Sequence, residues 1–123
     1  MQRYAITFRV KPGSEEAVRR LLTDYPPPEP RAADGTRLLG TSVFMKGDVV
    51  VRMLEIEGEL ASAMAHLATQ PAVRELERRL DPHLLEPRDM SSREGARSFF
   101  QRALMTHLTT RVAAASSTEK VEP

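Results

Sequence analysis

Two apolar segments separated by a short polar sequence dominate the middle of the chain. Residues 37–45 and 49–57 are rich in Leu, Val, Ile, Met and Phe, and the tripeptide 46–48 between them is Lys-Gly-Asp. Glycine adopts the positive φ that tight turns require, so the pattern predicts a β-hairpin. With two residues in the turn, Thr41 lies near Arg52 across the ladder. A three-residue turn would reverse the pairing, because side chains alternate between the two faces. We favour the two-residue turn.

This register predicts one nearly apolar face on the hairpin. Its members are Leu39, Thr41, Val43 and Met45 on the first strand and Val50, Arg52, Leu54 and Ile56 on the second. Thr41 and Arg52 are the polar exceptions. A charge at a core-facing position is costly unless it is paired. Arg52 is therefore either a structural ion-pair partner or a side chain that reaches the edge, or it binds carbonyl, enolate or phenolate oxygens in a ligand pocket.

The flanking sequence completes an α+β pattern. Apolar alternation predicts a strand at 2–10, and three-four apolar spacing predicts helices at 14–25, 59–69, 71–80 and 91–103. Residues 83–90 are expected to form a short edge strand, and 104–112 either a further strand or an extension of the last helix. The order β-α-β-β-α-β is the ferredoxin-like arrangement, an antiparallel sheet with helices on one face. A second copy of the chain, forming a homodimer, is the economical cover for the other face.

Composition narrows the classes of partner. The formal net charge is +1, so no overall field attracts nucleic acid or an anionic membrane. The chain has no apolar run of about 18 residues, and its first ten residues lack the layout of a signal peptide. We therefore expect a cytoplasmic domain. Cysteine is absent and the three histidines lack ligand spacing, and no glycine-rich phosphate loop is present, so no metal or other cofactor is predicted.

The main irregular segment is YPPPEPRAADG, residues 25–35. Its four prolines impose an extended backbone. It is either a surface linker or a stiff loop that lines the mouth of a pocket. Asp24, just before it, is either a solvated carboxylate or an acid at that mouth. His66 lies at the flank of an apolar helical stripe and is either a half-exposed surface residue or a general acid or base, since imidazole titrates near neutrality.

The segments 40–90 (GTSVFMKGDVVVRMLEIEGELASAMAHLATQPAVRELERRLDPHLLEPRDM) and 99–105 (FFQRALM) carry a family resemblance. They resemble the SchA/CurD-like proteins of actinobacterial gene clusters for aromatic polyketides and spore pigments, and the resemblance spans residues 2–112. The middle segment is also similar, more distantly, to the tetracenomycin-type polyketide cyclases. That relation implies a dimeric α/β barrel with a pocket between sheet and helices. Cofactor-independent monooxygenases that oxidise anthrone-like polyketides share this fold.

Two departures bear on the reaction that the resemblance implies. Tetracenomycin-type cyclases place a basic residue on the second strand and a histidine on the third, where this chain has Thr41 and Arg52. The tryptophan of several quinone-forming monooxygenases has no counterpart, because the chain contains no Trp. The fold expectation is therefore stronger than the expectation for either reaction.

We expect a single domain over residues 1–112, a disordered tail over 113–123 and a cyclase or aromatase acting on an aromatic polyketide precursor. Arg52 would stabilise an enolate oxygen, Thr41 would donate a hydrogen bond, and His66 would shuttle a proton. The expected substrate-binding residues are Asp24, Val43, Leu54, Met64 and Phe100. The alternatives are a cofactor-free monooxygenase and a non-catalytic partner of other polyketide tailoring enzymes.

Overall fold

A computed structural model describes residues 1–113 of the chain. The sheet has three antiparallel strands in the order β1-β3-β2. The elements in chain order are β1 (Gln2–Arg9), α1 (Glu15–Thr23), β2 (Arg37–Lys46), β3 (Val49–Glu57), α2 (Leu60–Ala68), α3 (Pro71–Leu80), a 3-10 turn (Asp81–His83) and α4 (Arg93–Ala103). The predicted α+β class is confirmed.

The hairpin between β2 and β3 has the predicted two-residue turn. Lys46 pairs with Val49, and the turn glycine has a φ of 59°. Arg52 pairs with Val43, and Thr41 pairs with Leu54 one step further along the same face. Thr41 and Arg52 are therefore diagonal neighbours, as the sequence register requires.

The first helix ends earlier than its apolar spacing predicts. α1 stops at Thr23, and Asp24 closes it with a backbone N–H bond to the carbonyl of Arg20. Tyr25 precedes Pro26, and a residue before proline avoids the helical region because of the proline ring. Two elements at the sheet edge are also shorter than expected.

Both shortened elements lie along the free edge of β1. The predicted edge strand at 83–90 is reduced to a bridge between Leu84 and Val10, and the segment after α4 to a bridge between Leu104 and Ile6. Leu104 is already extended, so α4 does not continue into 104–112. Together the bridges occupy the position of the fourth strand in a ferredoxin-like sheet.

The core lies between one sheet face and the helices. Its largest cluster joins β3 to α1, α3 and the bridge segments, with members Val10, Val18, Leu22, Val50, Leu76, Leu80 and Leu84. A second cluster joins Ile6 of β1 to Phe99 and Ala103 of α4, with Phe100 and Met90 packed against it. The helix-facing side of the sheet is thereby covered along β1 and β3.

The opposite sheet face carries a mixture of apolar and paired charged residues. Phe44 is 58% exposed and Val49 38% exposed, while Arg3 and Glu55 form an ion pair of 2.7 Å. In the part of the chain that the structure describes, the helices pack on the other face, so a homodimer through this one stays a prediction. Of the predicted tail at 113–123, residues 114–123 lie outside the described residues. Within residues 1–113, no helix is long and apolar enough to cross a membrane.

Candidate functional site

Arg52 lies in the middle of β3 and points toward the helices. Its Nη1 donates to Oε2 of Glu77 at 3.0 Å, and the two side chains are 18% and 15% exposed. This is the ion pair that the sequence left open as one alternative. A guanidinium has five N–H donors. The bond to Glu77 uses one of them, and the Tyr25 side chain also interacts with the guanidinium.

Glu77 is shared with a second arginine that the sequence analysis did not identify. Oε1 of Glu77 accepts from Nη2 of Arg88 at 3.0 Å, and Nε of Arg88 donates to Oδ1 of Asp81 at 2.8 Å. The guanidinium of Arg88 also lies over the ring of Phe99, 4.6 Å from its centre. The Arg88 side chain is only 1% exposed. We call these four charged residues, Arg52, Glu77, Asp81 and Arg88, the buried ion cluster.

The charges of the buried ion cluster support one another. Burial opposes the ionised form of Glu77, but the positive charges of Arg52 and Arg88 outweigh it and lower the pKa of the carboxyl. Burial likewise opposes the charge of Arg52, but Glu77 and then Tyr25 hold its pKa above the ordinary value. Glu77 is therefore a carboxylate at neutral pH and a poor proton acceptor.

Thr41, Val43 and Leu54 share the sheet face of Arg52. Val43 pairs directly with Arg52, and Thr41 with Leu54. Val43 is 38% exposed and Thr41 is exposed as well, whereas Leu54 is half-buried. The edge strand β2 thus leaves an accessible strip of this face beside the Arg52 position.

His66 lies on α2 and contacts the proline-rich segment. Its Nε2 is 2.9 Å from the backbone carbonyl oxygen of Glu29 and 2.9 Å from Nε2 of Gln70. The Gln70 side chain accepts from the Glu29 N–H at 2.8 Å and donates to its carbonyl at 3.0 Å. These bonds tie the segment to the end of α2. Met64 is half-buried on the same helix.

The two remaining predicted residues lie in different places. Asp24 lines an open groove of about 400 Å³ between α1 and α3, whose other lining residues are Arg20, Leu21, Tyr25, Pro26, Ala72, Glu75, Leu76 and Arg79. Phe100 packs on the core cluster around Ile6. The structure therefore places Thr41, Val43 and Leu54 beside Arg52 on one sheet face, whereas Asp24 belongs to the groove.

Glu77 carried a sequence signal, and Arg88 did not. Glu77 sits among the apolar positions of its helix, with Val73, Leu76 and Leu80, and a carboxylate in such a stripe indicates a buried partner. Arg88 lies in the polar sequence EPRDM, at the end of the predicted edge strand 83–90, where the pattern does not indicate that it is buried. Among residues 1–113, no group of three or more His, Cys, Asp or Glu side chains could hold a metal ion.

Comparison with known proteins identifies the family. The SchA/CurD-like domain matches residues 1–113. The chain is 50% identical over 103 residues to a protein named polyketide synthase CurD of Streptomyces cyaneus and 45% identical over 103 residues to protein SchA of Streptomyces halstedii. Both alignments cover 84% of this chain, but only 28% and 27% of the two relatives. The chain therefore spans little more than a quarter of their length.

A solved structure supports the fold. Tetracenomycin F2 cyclase from Streptomyces glaucescens, described as a type-II polyketide cyclase, superposes with a TM-score of 0.57 at 12% identity. The match covers 93% of this chain and all of the cyclase chain. At this identity the likeness concerns the fold alone, and the sequence match carries the family assignment: this chain belongs to the SchA/CurD-like family.

Proposed function

We propose that this domain acts in the biosynthesis of aromatic polyketides and promotes ring closure, as a cyclase or aromatase. Its relatives include a protein named polyketide synthase CurD, and its fold is similar to that of a polyketide cyclase. The observation that carries the proposal is Arg52, a charged and oriented guanidinium on the helix-facing side of the sheet. Its spare N–H donors suit an oxygen that gains negative charge.

The proposed reaction is an aldol condensation followed by loss of water. A carbon between two carbonyl groups loses a proton, and the enolate carbon forms a bond to a second carbonyl carbon of the same chain. That carbonyl oxygen becomes an alkoxide and takes up one proton to form a hydroxyl group. The hydroxyl group then leaves as water with a second proton, which comes from the adjacent ring carbon as the new C=C bond forms. Arg52 stabilises the enolate oxygen, and the Thr41 hydroxyl donates a hydrogen bond on the same face. His66 shuttles the proton in this proposal, because an imidazole can both accept and donate a proton.

An apolar surface around these groups would hold the substrate. We propose Val43 and Leu54 beside Arg52, with Met64 and Phe100 from the helices, as this surface, and Asp24 as an acid at the groove between α1 and α3. Small-molecule sites are largely apolar with a few placed polar groups. A homodimer through the exposed sheet face completes the proposal, and other polyketide tailoring enzymes are its proposed further partners.

The test is the aromatic product profile of a producing strain that carries Arg52→Met in the gene for this chain. Arg37→Met is the matched control, since Arg37 forms an ion pair of 2.7 Å with Glu57 but is 41% exposed. We expect the R52M strain to lose the cyclised product and to accumulate products that are uncyclised or cyclised at the wrong carbons, while R37M keeps the wild-type profile. An unchanged profile in R52M, with the protein folded, contradicts the proposal.

Two further measurements separate cyclisation from the alternatives. Aldol condensation takes no atom from dioxygen, so a product formed under labelled dioxygen stays unlabelled. Incorporation of the label into the product would indicate an oxygenation reaction instead of ring closure. Turnover by the purified protein supports an enzyme, whereas a protein that copurifies with polyketide enzymes but turns nothing over is a non-catalytic partner.

A further inference from the structure

The Glu77 carboxylate connects two arginines from different parts of the chain. Its two oxygens accept from Arg52 and from Arg88, each at 3.0 Å. A carboxylate engaged on both oxygens cannot rotate without losing one charge-assisted hydrogen bond. Arg52 on β3 therefore donates to a carboxylate whose orientation is also held by Arg88.

Arg88 provides the fixed end of this arrangement. Besides its bonds to the Glu77 and Asp81 carboxylates, its Nη2 donates to the backbone carbonyl of Glu77 at 3.2 Å, and its guanidinium stacks over Phe99. With 1% of its side chain exposed, against 18% for Arg52, it is closed to ligands. The Arg88 side chain has already lost its conformational entropy when the protein folds, so it acts as a fixed anchor for Glu77.

We propose that Glu77, anchored by Arg88, is a positioning residue that orients the Arg52 guanidinium toward the substrate oxygen. The inference rests on the proposed function, in which Arg52 meets that oxygen. Because a guanidinium is planar and rigid, a bond that holds one N–H also restricts the directions of the others. Donors held in place before the reaction need no reorganisation when charge develops.

The test compares Glu77→Gln with Asp81→Asn. Each removes one carboxylate charge beside Arg88, but Asp81 is not a partner of Arg52 among the described residues. One readout is the side-chain ¹⁵N NMR signal of the Arg52 guanidinium, which sharpens when its rotation is hindered. The other is the ratio of cyclised to uncyclised polyketide in the producing strain.

We expect E77Q to broaden the Arg52 signal and to lower the product ratio roughly tenfold or more, as misplacement of a reacting group does. D81N should leave the signal in place and the ratio within about twofold of wild type, since it does not touch Arg52. Glu77→Asp keeps the charge but shortens the reach, so it should resemble E77Q. A wild-type ratio in either Glu77 variant overturns the inference.

A second variant keeps the test decisive if E77Q does not fold. Arg88→Lys retains the positive charge but lacks the fork that spans Glu77 and Asp81, so it should broaden the Arg52 signal and lower the product ratio. A wild-type signal and ratio in R88K overturn the inference. If R52M itself leaves the products unchanged, the proposed function fails. If R52M loses them while E77Q equals D81N, only the positioning role fails.

Discussion

Replacing Arg88 with Met tests whether the buried ion cluster holds the fold together. Met preserves much of the buried stem but removes the bonds to Glu77 and Asp81 and the stacking on Phe99. Removing one partner of a buried ion pair typically costs about 3–5 kcal/mol. In this variant Glu77 still pairs with Arg52, and Asp81, which is 38% exposed, can be hydrated instead. We therefore expect a loss of unfolding free energy at the lower end of this range, about 3 kcal/mol. For a domain of this size that corresponds to a fall in Tm of roughly 12 °C.

The matched control is Arg78→Met, the same substitution on a surface pair. Arg78 bonds Glu75 on α3 but is 70% exposed, so water screens the pair and its contribution to stability is small. Urea unfolding followed by far-UV circular dichroism at neutral pH gives both free energies. A loss in R88M that lies within about 1 kcal/mol of R78M would refute the reasoning, because that is the range of a surface pair.

The cluster as a whole gives a second check on the same reasoning. Replacing Arg52, Glu77 and Arg88 together by apolar residues leaves none of those three charges buried without a partner. Apolar replacement of complete buried ion pairs is often neutral or stabilising. The triple variant should therefore unfold at a higher urea concentration than R88M alone, and a lower midpoint would contradict the account.

Three further predictions concern pH, packing and assembly. The folded-state pKa of Glu77 is lowered from 4.5, so its ionised form adds stability above that pH and the contribution is lost as pH falls through the folded value. Thermal unfolding should therefore show a steeper acid loss in wild type than in E77Q, and equal slopes would contradict this. Gly95→Ala should lower Tm although Ala is the better helix former by about 1 kcal/mol, because the added methyl would overlap the Asp89 carbonyl; a higher Tm would contradict it. Phe44→Asp should shift the proposed dimer to a monomer in size-exclusion chromatography with light scattering, while Val43→Asp on the other face of β2 should not; a dimer in F44D excludes this face.

The sequence was informative where the determining interactions are local. The Lys-Gly-Asp turn sets the register of its own hairpin, and the register puts Thr41 and Arg52 on one face. The apolar surroundings of Arg52 indicate locally that its charge needs a partner or a ligand. The end of α1 is the exception, because the apolar spacing continues to Tyr25 whereas Pro26 disfavours a helical conformation at that residue.

The parts that the sequence did not reveal depend on long-range packing. Arg88 is buried where its side chain meets Glu77 of α3, Asp81 and Phe99 of α4. The local sequence EPRDM does not indicate this burial. The partner of Arg52 is 25 positions away, on α3, so the strand pattern alone does not identify it. The contact of His66 with the proline-rich segment spans 37 positions and likewise follows from the tertiary fold.

The most direct measurement is a crystal structure of the protein soaked with the uncyclised polyketide that accumulates when its gene is deleted. We predict density on the helix-facing side of the sheet, with a ligand oxygen within about 3 Å of an Arg52 nitrogen, the usual distance of a charge-assisted hydrogen bond. The Arg52–Glu77 bond should persist in the complex. Density confined to the groove between α1 and α3, or a ligand without contact to Arg52, would contradict the account.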